Sequence, residues 1–321
     1  MALPDLTEKY TAGVNEVTLG ATADEGGTRS TVYTIGGAKT LPFMDVDGET
    51  GNPVLVAMDV IDAPPEGWPE VLREPFADVL DDPAAWAKKN VEEFGADLIC
   101  LKLDGIDPDG ANRSAEQACK AAKAILEAVE VPLIIWGCNI DERDNEVLPQ
   151  VSGATKGERC LLGCAKQENY KRLTASCIAD GHNLICLAPL DINIAKQVNT
   201  LVTEMELPPG RIVMFQTSGA LGYGIEYAYS IQERQRLAAL GGDKMMMMPV
   251  IADAGHEAWR AKEAKLPEDE APEWGPQAER GPMWEATTAI TLVHAGCDVV
   301  RMRHPRAVAA VKKALAGLQG E

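Results

Sequence analysis

Eight short apolar, β-rich runs recur along this chain, each followed by a stretch with helical spacing. That alternation points to a parallel sheet covered by helices. The runs are VLVAMDV (54–60), DLICLKL (97–103), PLIIWG (132–137), CLLG (160–163), NLICLA (183–188), RIVMF (211–215), MMPVIA (247–252) and DVVRMR (298–303). Between them apolar residues fall at intervals near 3.6, as with Ala118, Ala122, Ile125 and Val129. Eight β-α units in roughly 270 residues match the size of a closed α/β (βα)8 TIM barrel, expected over residues 53–321. An open doubly wound sheet is the competing architecture, because counting elements does not prove closure. Residues 1–52 stand apart. There EVTLGA and TVYTIGGAKTLPF, joined by the Gly-rich ADEGGTRS, read as an N-terminal β-hairpin extension in front of the barrel.

Charge and cysteine usage narrow the function classes. The 321 residues carry 49 Asp and Glu against 30 Lys and Arg, a net charge of −19. Such a surface repels phosphate backbones and anionic bilayers, so neither nucleic acid nor membrane is expected as a partner. The apolar runs are strand-sized and the opening MALPDLTEKY lacks a signal-peptide pattern, which gives the expectation of a cytoplasmic protein. Eight cysteines are scattered through strand-like and helix-like segments, as buried free thiols of a reducing compartment would be. Cys160 and Cys164 form a C-x3-C with no second pair and no neighbouring histidine to complete a four-ligand site.

In a barrel of this kind the loops after the strands build the site, so strand ends become candidates. They are Asp59, Lys102 and Asp104, Cys138 and Asn139, Asp191 and Asn193, then Thr217, Ser218 and Gly219, Asp253, and Arg303 with His304. Lys102 and Asp104 lie two apart and leave a strand on the same side, which suits either a ligand site or an ion pair across the barrel mouth. Asp191 follows a Pro-Leu turn, where the most frequent use of Asp is to cap the next helix. The glycines of SGALGYG (218–224), Gly222 among them, would let backbone amides approach a phosphate or an amide-decorated cofactor. Their G-x-x-G-x-G order after a late strand is not a dinucleotide fingerprint. Two connections, 60–82 and 266–281, are longer than a barrel needs and read as lids or docking surfaces. No HExxH, G-x-S-x-G or GKS/GKT motif occurs, so a ligand-holding or subunit role is favoured over independent catalysis.

The strings ATADEGGTRS, LPFMDVDGE, LKLDGIDPDGA, AKQENYKRLTASC, LDINIAKQVN, LGYGIEYAYSIQERQRLAALGGDKM, EAWRAKEA and RMRHPRAV occur in this order. Over residues 17–311 the chain thereby resembles the small (delta) subunit of the corrinoid iron-sulfur protein of the CO dehydrogenase/acetyl-CoA synthase system. The resemblance implies a barrel paired with a large subunit, a corrinoid held between the two, and the iron-sulfur cluster in the large subunit rather than in this chain. It also implies transient partners: a methyltetrahydrofolate-dependent corrinoid methyltransferase that supplies a methyl group, and acetyl-CoA synthase that receives it in the reductive acetyl-CoA pathway. Cobalt would do the chemistry while the protein orients it and excludes side reactions. The D-x-H-x-x-G motif that supplies a cobalt-ligating histidine in other corrinoid proteins is broken here, with Ile185 in the place of its glycine. His182 also precedes a strand, at the wrong end of the barrel for a ligand. Two other readings compete: a stand-alone pterin-binding barrel methyltransferase using Asp59, Asp104, Asn139 and Asp191, and a structural scaffold with no ligand.

Overall fold

A computed structural model describes residues 6–319, and the MALPD that opens the terminal stretch considered above lies outside the described residues. Strands β1 (Glu16–Leu19) and β2 (Tyr33–Gly36) form the expected antiparallel hairpin, Glu16 facing Gly36 and Leu19 facing Tyr33. Eight parallel strands follow: β3 (Leu55–Ile61), β4 (Leu98–Lys102), β5 (Leu133–Trp136), β6 (Leu161–Ala165), β7 (Asn183–Leu187), β8 (Ile212–Phe215), β9 (Ile251–Ala252) and β10 (Val299–Met302). Their order is β8-β7-β6-β5-β4-β3-β10-β9, and a bridge from Met214 to Val250 spans the remaining seam. The sheet is therefore a barrel and not an open doubly wound layer.

The helices are α1 (Glu70–Arg73), α2 (Pro83–Glu92), α3 (Ala115–Ala128), α4 (Asp141–Ala154), α5 (Tyr170–Asp180), α6 (Ile192–Glu204), α7 (Ile225–Leu240), α8 (Ala254–Ala258), α9 (Lys262–Lys265), α10 (Gln277–His294) and α11 (Pro305–Gln319). Capping follows the sequence. Ser114 and Gln117 form a capping box at the start of α3, and Ala118, Ala122 and Ile125 turn to the core. The long connection 60–82 is not structureless, since it contains α1 and a 3-10 turn at Glu74–Phe76 that buries Phe76. One strand is shorter than its apolar run. Lys244–Met246 form a 3-10 turn started by the Asp243 carboxylate on the Met245 N–H, and Pro249, which has no N–H, precedes the two residues of β9.

Side-chain parity along the strands divides the core into two shells. Val56, Met58 and Val60 of β3 face the helices, whereas Leu55 and Ala57 face the lumen with Leu98, Ile134, Leu161, Ile185, Val213 and Val299. Val17, Leu19 and Ile35 of the hairpin join that inner shell, so the hairpin plugs the N-terminal end of the barrel. Asn183 Nδ2 donates to the Thr18 carbonyl at 2.8 Å and the Gly20 N–H to that of Arg159 at 3.1 Å, which holds the plug in place. The opposite, strand-end face carries the residues that the loops after the strands present. Among the described residues no helix is long and apolar enough to cross a membrane.

Candidate functional site

The same parity that fills the lumen with Leu and Val places Asp59, Lys102, Trp136, Arg301 and Asp253 in its uppermost layer. Arg301 is the hub. It is fully buried, donates to Asp59 Oδ1 at 2.5 Å and Oδ2 at 3.1 Å, and donates to Asp253 Oδ2 at 3.0 Å. Its guanidinium also lies over the Trp136 ring, 4.6 Å from the centroid. Arg303, one step beyond β10, donates to Asp59 Oδ2 at 2.9 Å and lies 5.0 Å from the Trp68 ring centroid. Burial would raise the Asp59 carboxyl, but the two arginines outweigh it and hold its pKa at about 2. Asp59 is thus a permanently ionised anchor beneath the mouth, with its oxygens spent on Arg301 and Arg303.

Above this layer lies a cavity of about 240 Å³ whose wall includes Lys102, Trp136, Asn139, Lys166, Thr217, Ser218, Asp253 and His256. A second hollow of about 250 Å³, lined by Trp68, Asp104, His256, Trp259 and Arg303 among others, continues it across the strand-end face. Of the residues expected from the sequence, Lys102, Asn139, Thr217 and Ser218 line the first, and Asp104 and Arg303 the second. Lys102 and Asp104 do pair, at 3.0 Å, although Asp104 opens a 3-10 turn instead of continuing the strand. Lys102 Nζ also donates to the Gly137 carbonyl. The remaining candidates are used elsewhere. Asp191 caps α6, accepting from the N–H groups of Asn193 at 2.8 Å and Ile194 at 3.0 Å, and the Asn193 side chain is exposed outside the cavity wall. Gly219 packs against the Gly224 backbone, where a Cβ would stand 2.6 Å from its carbonyl, and Gly222 takes φ +74° in the turn beside Trp284. That loop folds onto α10, with the Leu221 N–H on Thr288 and its carbonyl on Trp284 Nε1. Its glycines shape the loop itself, and Gly219 and Gly222 line neither hollow.

Asn139 is aimed by its neighbours. The Asp144 carboxylate takes the N–H groups of Cys138 at 2.8 Å and Asn139 at 3.0 Å. This requires glycine at 137, since a Cβ there would come within 2.3 Å of that carboxylate. The backbone of Asn139 adopts φ +73°, a conformation asparagine tolerates better than most residues, and Trp136 Nε1 donates to its Oδ1 at 3.2 Å. His256 accepts at Nδ1 from Arg303 Nη2 at 3.1 Å, and burial pushes its pKa down to about 4. Asp62, just past β3, is buried under the turn at Gly105, whose N–H it accepts at 2.6 Å. Its Oδ2 has no partner among the described residues, and burial pushes the carboxyl up to about 6.

The reading of the strand ends missed Arg301 and gave His256 no role. Arg301 was hidden inside an apolar run, and its partners Asp59 and Asp253 are remote in sequence. His182 is buried far from the mouth, with Nδ1 accepting from the Cys160 N–H at 3.1 Å and Nε2 bonded to the Ser152 carbonyl at 2.9 Å. Cys160 and Cys164 are buried free thiols, and among the described residues no three His, Cys, Asp or Glu side chains converge as a metal site.

A lumen sealed by a hairpin at one end and by an arginine–carboxylate layer at the other defines a barrel that offers a surface rather than a deep pocket. Among solved structures, the fold is shared with dihydropteroate synthase of Xanthomonas albilineans (TM-score 0.56, 13% identity, covering 90% of this chain and 94% of that one). The Coxiella burnetii dihydropteroate synthase is similar to the same degree (TM-score 0.56, 13% identity, covering 84% and 95%). In sequence the relatives are of another kind. The chain belongs to the CO dehydrogenase/acetyl-CoA synthase delta subunit family, whose pattern it matches over residues 16–266. It is 38% identical over 319 residues to the acetyl-CoA decarbonylase/synthase complex subunit delta of Archaeoglobus fulgidus, covering 98% of this chain and 70% of that protein. Against the Methanocaldococcus jannaschii subunit delta it is 38% identical over 307 residues, covering 95% and 74%.

Proposed function

We propose that this chain is the barrel subunit of a cytoplasmic corrinoid iron-sulfur protein, covering one face of a corrinoid held against a large iron-sulfur subunit. In this reading the complex carries a methyl group from a methyltetrahydrofolate:corrinoid methyltransferase to acetyl-CoA synthase. The observation that carries the reading is the form of the mouth. The two hollows, of about 240 and 250 Å³, share His256 and Arg260 and form one continuous, polar-lined stretch across the strand-end face. They fit the decorated face of a large flat cofactor. The donor set suits the amide arms of a corrinoid: Lys102, Asn139, Ser218 and Lys166 are polar and hydrogen-bonding, at a mouth floored by Trp136 and Phe215. When bound, the corrinoid supplies a cobalt centre that accepts and releases a methyl group. This chain's residues hold the arms, fix the cofactor's tilt and keep water from its covered face.

The stand-alone pterin methyltransferase is less well supported. Of the carboxylates it would use, Asp59 is consumed by two arginines, Asp191 by the start of α6, and Asp104 faces Lys102. Titration of the isolated chain with methyltetrahydrofolate, followed by calorimetry, separates the two. The subunit reading expects no saturable binding at micromolar ligand, and tight binding would contradict it.

A further inference from the structure

Three side chains at the mouth can both donate and accept hydrogen bonds, and each has an acceptor already taken. Asn139 Oδ1 accepts from the Trp136 indole at 3.2 Å, and an indole N–H has no acceptor role, so the amide cannot be turned round. Its Nδ2 is left facing away, with no hydrogen bond among the described residues. His256 Nδ1 receives the Arg303 guanidinium, which also only donates, so Nδ1 carries no proton and the neutral ring must carry it on Nε2. Burial, against the pull of Asp253, lowers the pKa of this ring to about 4, so it is neutral at pH 7. Glu257 Oε1 stands 3.8 Å from Nε2, beyond hydrogen-bond reach, and is engaged by Arg260 at 3.2 Å. Ser218 Oγ accepts the Asp253 N–H at 2.8 Å, which leaves its hydroxyl proton to donate. Asp253 itself is spent on Arg301 and on the His256 N–H. The orienting partners are rigid, because Trp136 stacks on the buried Arg301 and Arg303 is tied to Asp59.

We propose that Asn139, His256 and Ser218 act together as an oriented set of donors that receives carbonyl oxygens. The inference deepens the proposed function and rests on it for the source of those oxygens: the C=O ends of a corrinoid's amide arms face the mouth. A pterin lactam carbonyl would be the other source of the same chemistry. The set also explains why an asparagine sits at a positive φ here, since the backbone bend brings its amide within reach of the indole.

The first test needs no partner. A long-range 1H–15N spectrum of the histidine-labelled chain at pH 7 is expected to show His256 neutral with its proton on Nε2. A proton on Nδ1, or a doubly protonated ring, overturns the assignment. The second test compares wild type with Asn139→Asp in two arms: cobalamin retained by the complex with the large subunit, and methyltetrahydrofolate bound by the isolated chain. Replacing a donor by an acceptor should weaken the ligand that is read about tenfold. Loss in the cobalamin arm assigns the carbonyl to a corrinoid arm. Loss in the folate arm keeps the donor set but contradicts the subunit reading. A ligand that binds wild type and is unaffected by Asn139→Asp overturns the donor set. If wild type binds neither, the function reading fails, and the histidine spectrum still decides the donor geometry.

Discussion

At the scale of single residues, the buried Asp59–Arg301–Asp253 layer is where charge bears on stability. Removing one partner from a buried ion pair leaves an uncompensated charge, so Asp59→Asn is expected to cost about 3–5 kcal/mol in chemical denaturation at pH 7. The pH dependence has a definite sign. Asp59 is held at about 2 against an ordinary 3.8, so its contribution is complete above pH 3.8 and is lost as pH falls through about 2. The gap between wild type and Asp59→Asn should narrow over that window. Asp62 works in the opposite sense. With its pKa raised from 3.8 to about 6, it favours the folded state below pH 3.8, and that contribution is lost as pH rises through 6. Wild type should therefore lose stability between about pH 3.8 and 6 relative to Asp62→Asn, whose neutral amide carries no such titration. Parallel stability curves for the two proteins would contradict this account of Asp62.

At the scale of elements, the assignment of Asp191 to capping is open to direct test. Asp191→Ala is expected to cost about 1 kcal/mol of stability through the start of α6 and to leave corrinoid retention by the complex unchanged. Reduced retention at unchanged stability would return Asp191 to the ligand site. The hairpin plug is likewise structural, and Leu19→Ala, fully buried at the barrel floor, should cost about 2–5 kcal/mol by thermal or chemical melting. These elements also measure what the sequence conveys. All eight barrel strands and the hairpin were legible, because apolar runs and turn residues are local signals. The β9 boundary was not, since Met247 and Met248 extend the apolar run that ends at Ala252, while Asp243 and Pro249 impose a turn. The lining of the candidate hollows was half legible. Strand-end parity found Lys102, Asn139, Thr217, Ser218 and Arg303, but an arginine inside a strand acquires meaning only when the closing barrel delivers two distant aspartates to it. Gly219 and Gly222 drew attention as a ligand loop because glycine runs look alike whether they receive a ligand or pack against their own helix.

At the scale of the molecule, a chain of net charge −19 gathers Lys102, Lys166, Arg260 and Arg303 around one end of its barrel and seals the other with the hairpin. A donor-lined face whose cations are each paired with a carboxylate would make chemical sense if another protein supplied the remaining walls of a ligand site. Each isolated half would then hold a corrinoid poorly, and the joined halves well, because association removes both cofactor faces from water. The most direct measurement is an anaerobic co-purification of this chain with its native partners, reading the partner's mass, the stoichiometry and the visible spectrum of the eluate. A one-to-one complex with a large iron-sulfur protein, with corrinoid absorbance that disappears when the two chains are separated, is the expected result. A colourless single chain that binds methyltetrahydrofolate by itself would contradict the account.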